Sequence, residues 1–270
     1  MRKSIVSLSV AAALLVPGLA AAQAAAPSPL TGNATLITDY RFRGISQTIG
    51  KPAFQGGFDY AHASGFYLGN WNSNVSEVAG YPGANLEMDF YGGYKRAFGD
   101  YGLDVGLLEY YYPGSKASGS FGAAALTNPH SPGKTNSSNV HNTEFYLAGS
   151  WKWITLKWSH ALTDYFMVPD TKGSNYLEAS ATYDMGNGWG VNGHVGHLSA
   201  HNFSELGYTD YKLGVTKDLS GWVLGAALVS TNAKHNCSNT PADPYCFVKV
   251  TGGTYDGGKS TVVLSVSKTF

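Results

Sequence analysis

Charge is scarce in this chain. Asp, Glu, Lys and Arg together make up 13% of its 270 residues, about half the roughly 25% of an ordinary soluble domain. A water-soluble protein normally covers itself with ionic side chains, so the deficit argues against such a surface. Long apolar runs are missing as well: nothing after residue 24 is long and greasy enough to cross a bilayer as a helix. Helical signals are nearly absent, with no sustained 3.6-residue period joined to a capping box and free of Gly. A basic excess is also lacking. Taking Arg2 and Lys3 of the expected leader from the 18 basic residues leaves 16 against 18 acidic ones, a net of −2, which argues against nucleic acid as a partner. Cysteine is reduced to Cys237 and Cys246; their spacing is not C-x-x-C, which disfavours a redox pair.

What is present starts with MRKSIVSLSVAAALLVPGLAAAQA. Two cations, a short apolar run broken by Pro17 and small residues in A-x-A spacing are expected to form a secretory signal peptide over 1–24. The remaining residues, 25–270, are expected to form one domain. In an exported chain the default for Cys237 and Cys246 is a local disulfide. It closes a small loop, worth on the order of 2–3 kcal/mol, and serves mainly to pin that loop's shape.

Period-two patterning then recurs almost without interruption. In NATLITDYRFRG, Leu36, Tyr40 and Phe42 share one face while Asp39, Arg41 and Arg43 share the other. In NLEMDFYGGYKRAF, Leu86, Met88, Phe90 and Tyr94 alternate with Glu87, Asp89, Tyr91 and Lys95. Such a period, with ionic residues on one whole face, marks a strand with a wet side. About twelve strands are expected, near 33–43, 53–62, 65–75, 85–97, 101–112, 143–151, 154–166, 174–185, 188–199, 206–217, 221–231 and 261–270.

The connections alternate strictly. AHASG, FGDYG, WKW, MGNGW and DLSGW are tight hairpin turns; between them fall long segments, including 113–142 and 232–260. One end of the sheet therefore carries tight turns and the other elaborate loops. With an even strand number, this is the arrangement of an all-β, transmembrane, antiparallel up-and-down barrel of a Gram-negative outer membrane, with short periplasmic turns and long extracellular loops. The final VVLSVSKTF places apolar residues at alternate positions and ends on Phe270. It is expected to close the barrel, to set Phe270 in the aromatic girdle, and to present the strand that outer-membrane assembly machinery reads. Trp71, Trp151, Trp153, Trp189 and Trp222 near strand ends fit girdles at the lipid interface.

TGNATLITDYRFRGISQT, PAFQGGFDY and GFYLGNWNSNV resemble the opening of the TorF-type (Gcw_chp) family of proteobacterial outer membranes, regarded as porins. LEMDFYGGY, YYYPG, EFYLAGSWKWITLKWSHALTDYF and GWVLGAALVSTN are similar to later parts of the same family. The resemblance covers essentially the whole chain after the leader, apart from the loop at 113–142 and the Cys-bearing loop. It implies an outer-membrane barrel with a pore function and brings no catalytic residue, metal or cofactor.

If the apolar sets face outer-membrane lipid, the lumen collects Asp39, Arg41, Arg43, Asp59, Glu87, Asp89, Lys95, Asp104, Glu144, Lys157, Glu178, Asp184, Asp210 and Lys212, together with Gln55. Twelve strands lie between the roughly eight that side chains can fill and the 16–18 of wide porins. The expectation is a narrow channel for ions or small hydrophilic solutes, against a bland alternative in which lumenal ion pairs leave no open path. Opposite charges along such a lumen set up a transverse field, and the acidic excess in the set hints at cation preference. Two other readings compete. His197 and Ser199 share a face as H-x-S, with Glu205 nearby, a spacing used by lipid A deacylase barrels for a base and a nucleophile; a structural His near a loop is much the commoner case. His194 falls on the opposite face, so it shares no metal with His197. His130, His141 and His235 lie in loops without ligand spacing, and Ser159–His160 shows no third partner. The other reading is a structural or adhesive barrel whose loops bind outside the cell. Tyr110 and Tyr112 read as lumenal rings that can stack on a sugar.

Overall fold

In a computed structural model the chain is described over residues 29–117, 128–134, 136–239, 243–249 and 251–270. The expected leader, 1–24, lies outside the described residues, as do parts of the two largest loops. In chain order the strands are β1 (Leu30–Ile37), β2 (Arg41–Phe42), β3 (Ile45–Ser46), β4 (Ala53–Ala61), β5 (Phe66–Asn74), β6 (Leu86–Phe98), β7 (Tyr101–Tyr111) and β8 (His141–Trp151). They continue with β9 (Ile154–Ala161), β10 (Asn175–Gly186), β11 (Trp189–Ser199), β12 (Tyr208–Leu219), β13 (Trp222–Thr231), β14 (Cys246–Val248), β15 (Thr254–Asp256) and β16 (Thr261–Thr269).

Twelve of these close an antiparallel barrel in the order β1, β16, β13, β12, β11, β10, β9, β8, β7, β6, β5, β4. Each pairs with its neighbour in sequence, and β1 and β16 complete the ring. At that seam the Gly32 amide donates to the Phe270 carbonyl at 2.7 Å and the Phe270 amide returns a bond of 2.9 Å. Closure leaves no unpaired strand edge, the condition for a sheet to sit in hydrocarbon.

The alternation does what its period requires. Leu36, Phe54, Phe58, Leu68, Phe90, Leu213 and Leu264 point outward and are exposed, while Gln55, Ser73, Glu87, Asn142 and Tyr146 between them are buried inside. Trp151, Trp153, Trp189 and Trp222 stand exposed beside tight turns, where interfacial rings belong. The turns at Asn187–Gly188 (φ 52° and 75°) and Ser220–Gly221 (φ 58° and 88°) have both central residues in the left-handed region. This is the type I′ geometry whose twist matches a two-residue hairpin.

Four expectations need correction. The strand expected over 33–43 ends at Ile37, and that expected over 154–166 ends at Ala161. In the first case the chain leaves the wall and turns into the barrel, where β2 and β3 pair as a miniature hairpin. Tyr40 and Phe42 therefore face no lipid; they are buried inside. The period-two pattern survives in that hairpin because it too is extended, so period alone does not tell wall from plug. Trp71 is not in a girdle either: it is buried, edge-on to Tyr40 with ring centroids 5.4 Å apart.

The core of the molecule lies within the loop-end half of the lumen. Tyr40, Phe42, Trp71, Tyr81, Tyr110, Tyr112, Tyr165, Phe203, Tyr208 and Phe247 form one buried cluster. Tyr81 stacks on Tyr112 at 3.8 Å and donates a hydrogen bond to Gln47. The last long loop locks the first in place. The Gly257 and Lys259 carbonyls each accept from Arg41 Nη1 at 3.0 Å, and Ser46 donates its amide to Gly257 at 3.0 Å. In that loop Cys237 and Cys246 are joined by a disulfide.

Candidate functional site

The lumen is not uniformly filled. A cavity of about 1120 Å³ is bordered at one end by turn residues such as Gly99, Asp100, Lys152, Asn187 and Asp218, and at the other by Arg41, Phe42 and Arg43 of the hairpin. It thus runs from the tight-turn rim inward to the plug.

Of the fourteen ionic residues expected in the lumen, ten border this cavity: Arg41, Arg43, Asp89, Lys95, Asp104, Lys157, Glu178, Asp184, Asp210 and Lys212. The other four do not. Asp39, Glu87 and Glu144 are buried in or under the plug, and Asp59 receives a hydrogen bond of 2.6 Å from Tyr91. Arg41 and Arg43 stand on the hairpin rather than on the barrel wall. The acidic excess expected of the set does not carry over to the cavity, which is bordered by seven basic side chains and seven acidic ones.

Around the wall, charges of both signs recur along one row of paired residues. Lys95 lies opposite Asp104, Asp104 opposite Ala148, Ala148 opposite Lys157 and Lys157 opposite Glu178. The row continues from Glu178 to Gly196 and from Gly196 to Asp210. The pairs are loose: Lys157 Nζ is 3.9 Å from Glu178, and among the described residues neither Lys95 nor Lys212 makes an ion pair. Loose, partly hydrated pairs leave charge for a passing solute to meet.

The plug pairs its arginines tightly instead. Arg43 forms a bidentate bridge to Glu144 at 2.7 and 3.0 Å and donates to the Tyr165 hydroxyl at 3.1 Å. Its guanidinium also lies 4.1 Å from the centre of the Tyr176 ring. Arg41 Nε meets Asp39 at 2.6 Å, and Asp39 accepts further bonds from the Ser46 and Thr48 hydroxyls at 2.6 and 3.1 Å. Planar guanidinium groups in such forks tolerate burial far better than lysines do.

Tyrosines whose roles were not foreseen connect the two zones. Tyr91 on β6 reaches across Gly69 on β5 to Asp59 on β4. Tyr176 reaches across Gly196 to Asp210 at 2.7 Å. A Cβ at either glycine would collide with the ring, so the close approach requires Gly there. Tyr67 donates to Asp104 at 2.6 Å and meets the Tyr146 hydroxyl. His194, on the inward face as its spacing from His197 requires, lies 2.9 Å from Asp210 and 3.3 Å from Glu178. Inward-facing glycines one strand away from inward-facing tyrosines were the available signal, but only pairing register reveals it.

Two remaining expectations find little support in geometry. Tyr110 and Tyr112 are both buried in the plug, with Tyr112 covered by Tyr81, so Tyr112 offers no free face for a sugar. His197 and Ser199 do face outward, but His197 Nδ1 pairs with the Thr209 hydroxyl at 2.9 Å and Glu205 pairs with His130 at 3.1 Å. No hydrogen bond links His197, Ser199 and Glu205. Among the described residues no group of three or more His, Cys, Asp or Glu can hold a metal ion.

A closed antiparallel barrel with an apolar outer wall, a polar lumen and turns on one end is the fold of outer-membrane porins. The chain belongs to the Gcw_chp family, described as bacterial protein of unknown function, whose pattern matches residues 21–270. Among solved structures it resembles the KdgM porin, with a TM-score of 0.51 at 7% identity over 89% of this chain and 99% of that one. The NanC porin gives a TM-score of 0.47 at 8% identity, over 89% and 98%. OprD from Pseudomonas aeruginosa gives 0.38 at 11%, over 89% and 65%. At such identities the likeness is one of fold. No curated protein matches the sequence.

Proposed function

We propose that the protein is a channel of the Gram-negative outer membrane that passes ions or small hydrophilic solutes by passive diffusion. The observation that carries this reading is the cavity of about 1120 Å³, which runs from the turn rim to the hairpin between walls that carry both signs of charge. A purely structural barrel gains nothing from a hollow of this size walled by loosely paired lysines and carboxylates. Arg41, Arg43, Asp89, Lys95, Asp104, Lys157, Glu178, Asp184, Asp210 and Lys212 are the pore-lining set under this reading, and the exposed apolar wall contacts outer-membrane lipid. The leader at 1–24 directs export, and the strand ending in Phe270 is what the assembly machinery engages.

The test is recording from the purified protein in planar bilayers. Discrete conductance steps are expected, with a reversal potential in a salt gradient that shifts when Lys157 and Lys212 are both changed to Gln. Bilayers that stay silent in several salts with the folded protein inserted would sink the reading. Enzymatic action on lipid at His197 and Ser199 remains the competing class, and Ser199→Ala is expected to leave lipid A acylation unchanged.

A further inference from the structure

Asp89 is the one carboxylate on the cavity wall near the plug whose charge nothing in the described protein meets. It is 7% exposed, borders the cavity, and its Oδ1 is buried without a hydrogen-bond partner. Among the described residues no cation lies within ion-pair distance of it. The nearby cations are already committed, Arg43 to Glu144 and Arg41 to Asp39. Glu87, two positions along the same inward face, is fully buried and accepts a hydrogen bond from the Tyr40 hydroxyl at 2.8 Å. The inner end of the cavity therefore holds one carboxyl, Asp89, and behind it a second, Glu87, that no cation among the described residues meets. A buried carboxylate left in this way is costly until a proton or a counter-charge joins it.

The walls beside Asp89 say which kind of cation fits. Pairing places it directly between Trp71 on β5 and Tyr110 on β7, and both aromatic residues border the same cavity, as does Phe42 of the hairpin. Aromatic faces flanking a carboxylate favour weakly hydrated organic cations, which gain from the ring quadrupoles. A metal ion instead needs several oxygen or nitrogen donors, and the described residues gather no such set.

We infer that the plug end of the lumen is a subsite for a small organic cation, an ammonium or guanidinium group held by Asp89 between Trp71 and Tyr110. As a statement about solute class, this rests on the channel reading above. The cation enters from the tight-turn end, passes the loosely paired lysines and carboxylates, and stops beneath the hairpin. Neutral diols lack the charge for Asp89, and dicarboxylates meet repulsion from Asp89 and Glu87.

The test uses the full-length barrel in nanodiscs, with tryptophan fluorescence and calorimetry against putrescine, 1,4-butanediol and succinate. Putrescine is expected to bind, the other two at least about tenfold more weakly. Asp89→Asn, which removes a charge but keeps the shape, is expected to lower putrescine affinity about tenfold. Trp71→Leu, which leaves every charge in place, is expected to weaken it severalfold. Both variants are checked for folding by the fast migration of an unheated barrel in SDS. Putrescine binding no better than butanediol, or unchanged in Asp89→Asn, overturns the subsite. Bilayer recording separates the two readings. Channels that conduct but are neither bound nor blocked by putrescine sink the subsite and keep the pore, whereas Asp89-dependent binding to a barrel that never conducts sinks the pore and keeps the subsite.

Discussion

The two halves of the barrel are made from the same strands with the same alternation, yet they hold different things. Toward the loops the lumen is packed with Tyr40, Phe42, Tyr81, Tyr112 and Tyr165, and its arginines are locked in short forks such as Arg43–Glu144 at 2.7 Å. Toward the turns it is hollow, and its charges face one another across gaps such as the 3.9 Å between Lys157 and Glu178. Burial explains the contrast. A guanidinium packed away from water must be matched by geometry, whereas an ammonium bordering a cavity large enough to hold water can stay loose. The loop half is therefore the packed part of the lumen and the turn half the part open to water.

The strongest way to break this comparison is to unpair the plug. Glu144→Ala strands the Arg43 guanidinium among aromatic rings and is expected to destabilise the barrel by about 3–5 kcal/mol, read as a lowered thermal unfolding midpoint in detergent. Replacing both partners, as Arg43→Met with Glu144→Leu, should recover most of that loss. A single mutant as stable as the parent would mean that the plug holds nothing together. Next in size is Gly69→Val, which drives Tyr91 off its bond to Asp59 and is expected to cost about 1–3 kcal/mol.

In the turn half, Lys157→Gln should change stability by less than about 1 kcal/mol while moving ion selectivity in bilayers. A large stability loss with unchanged selectivity would reverse the division of labour. The smallest effect is expected outside the membrane span. Lys134, and then the Ser131 hydroxyl, hold the Asp170 carboxyl below its ordinary value of 3.8. A depressed carboxylate contributes above its unfolded pKa and loses that contribution as pH falls through the folded one. The tie between the 128–134 loop and Asp170 should thus persist at neutral pH and loosen only below about pH 4, seen as faster hydrogen exchange in residues 128–134 alone.

Much of the architecture was legible in the sequence because hydrocarbon allows few solutions. A spanning sheet must hide every backbone polar group and grease one face, so alternation in strands such as β6 and β13, together with the long and short connections, led to a closed twelve-stranded ring. The hairpin was misread for the same reason that the strands were read correctly. DYRFRG alternates whether it lies on the wall or folds inside, and nothing local says which. The site residues were divided by distance along the chain. Lys95 and Asp104 flank one tight turn, so hairpin pairing alone sets them side by side, but Asp89, Trp71 and Tyr110 come together only through register on three strands. Tyr176 crossing Gly196 depends on register in the same way.

The residues alone determined that this chain forms a barrel with a greasy outside and a polar inside, because a two-residue period and a shortage of charge admit little else in contact with lipid. Only the tertiary structure decided that half the lumen is packed with aromatic side chains and half is hollow. That outcome depends on where one short loop packs once the ring has closed, and on which side chains register then brings face to face.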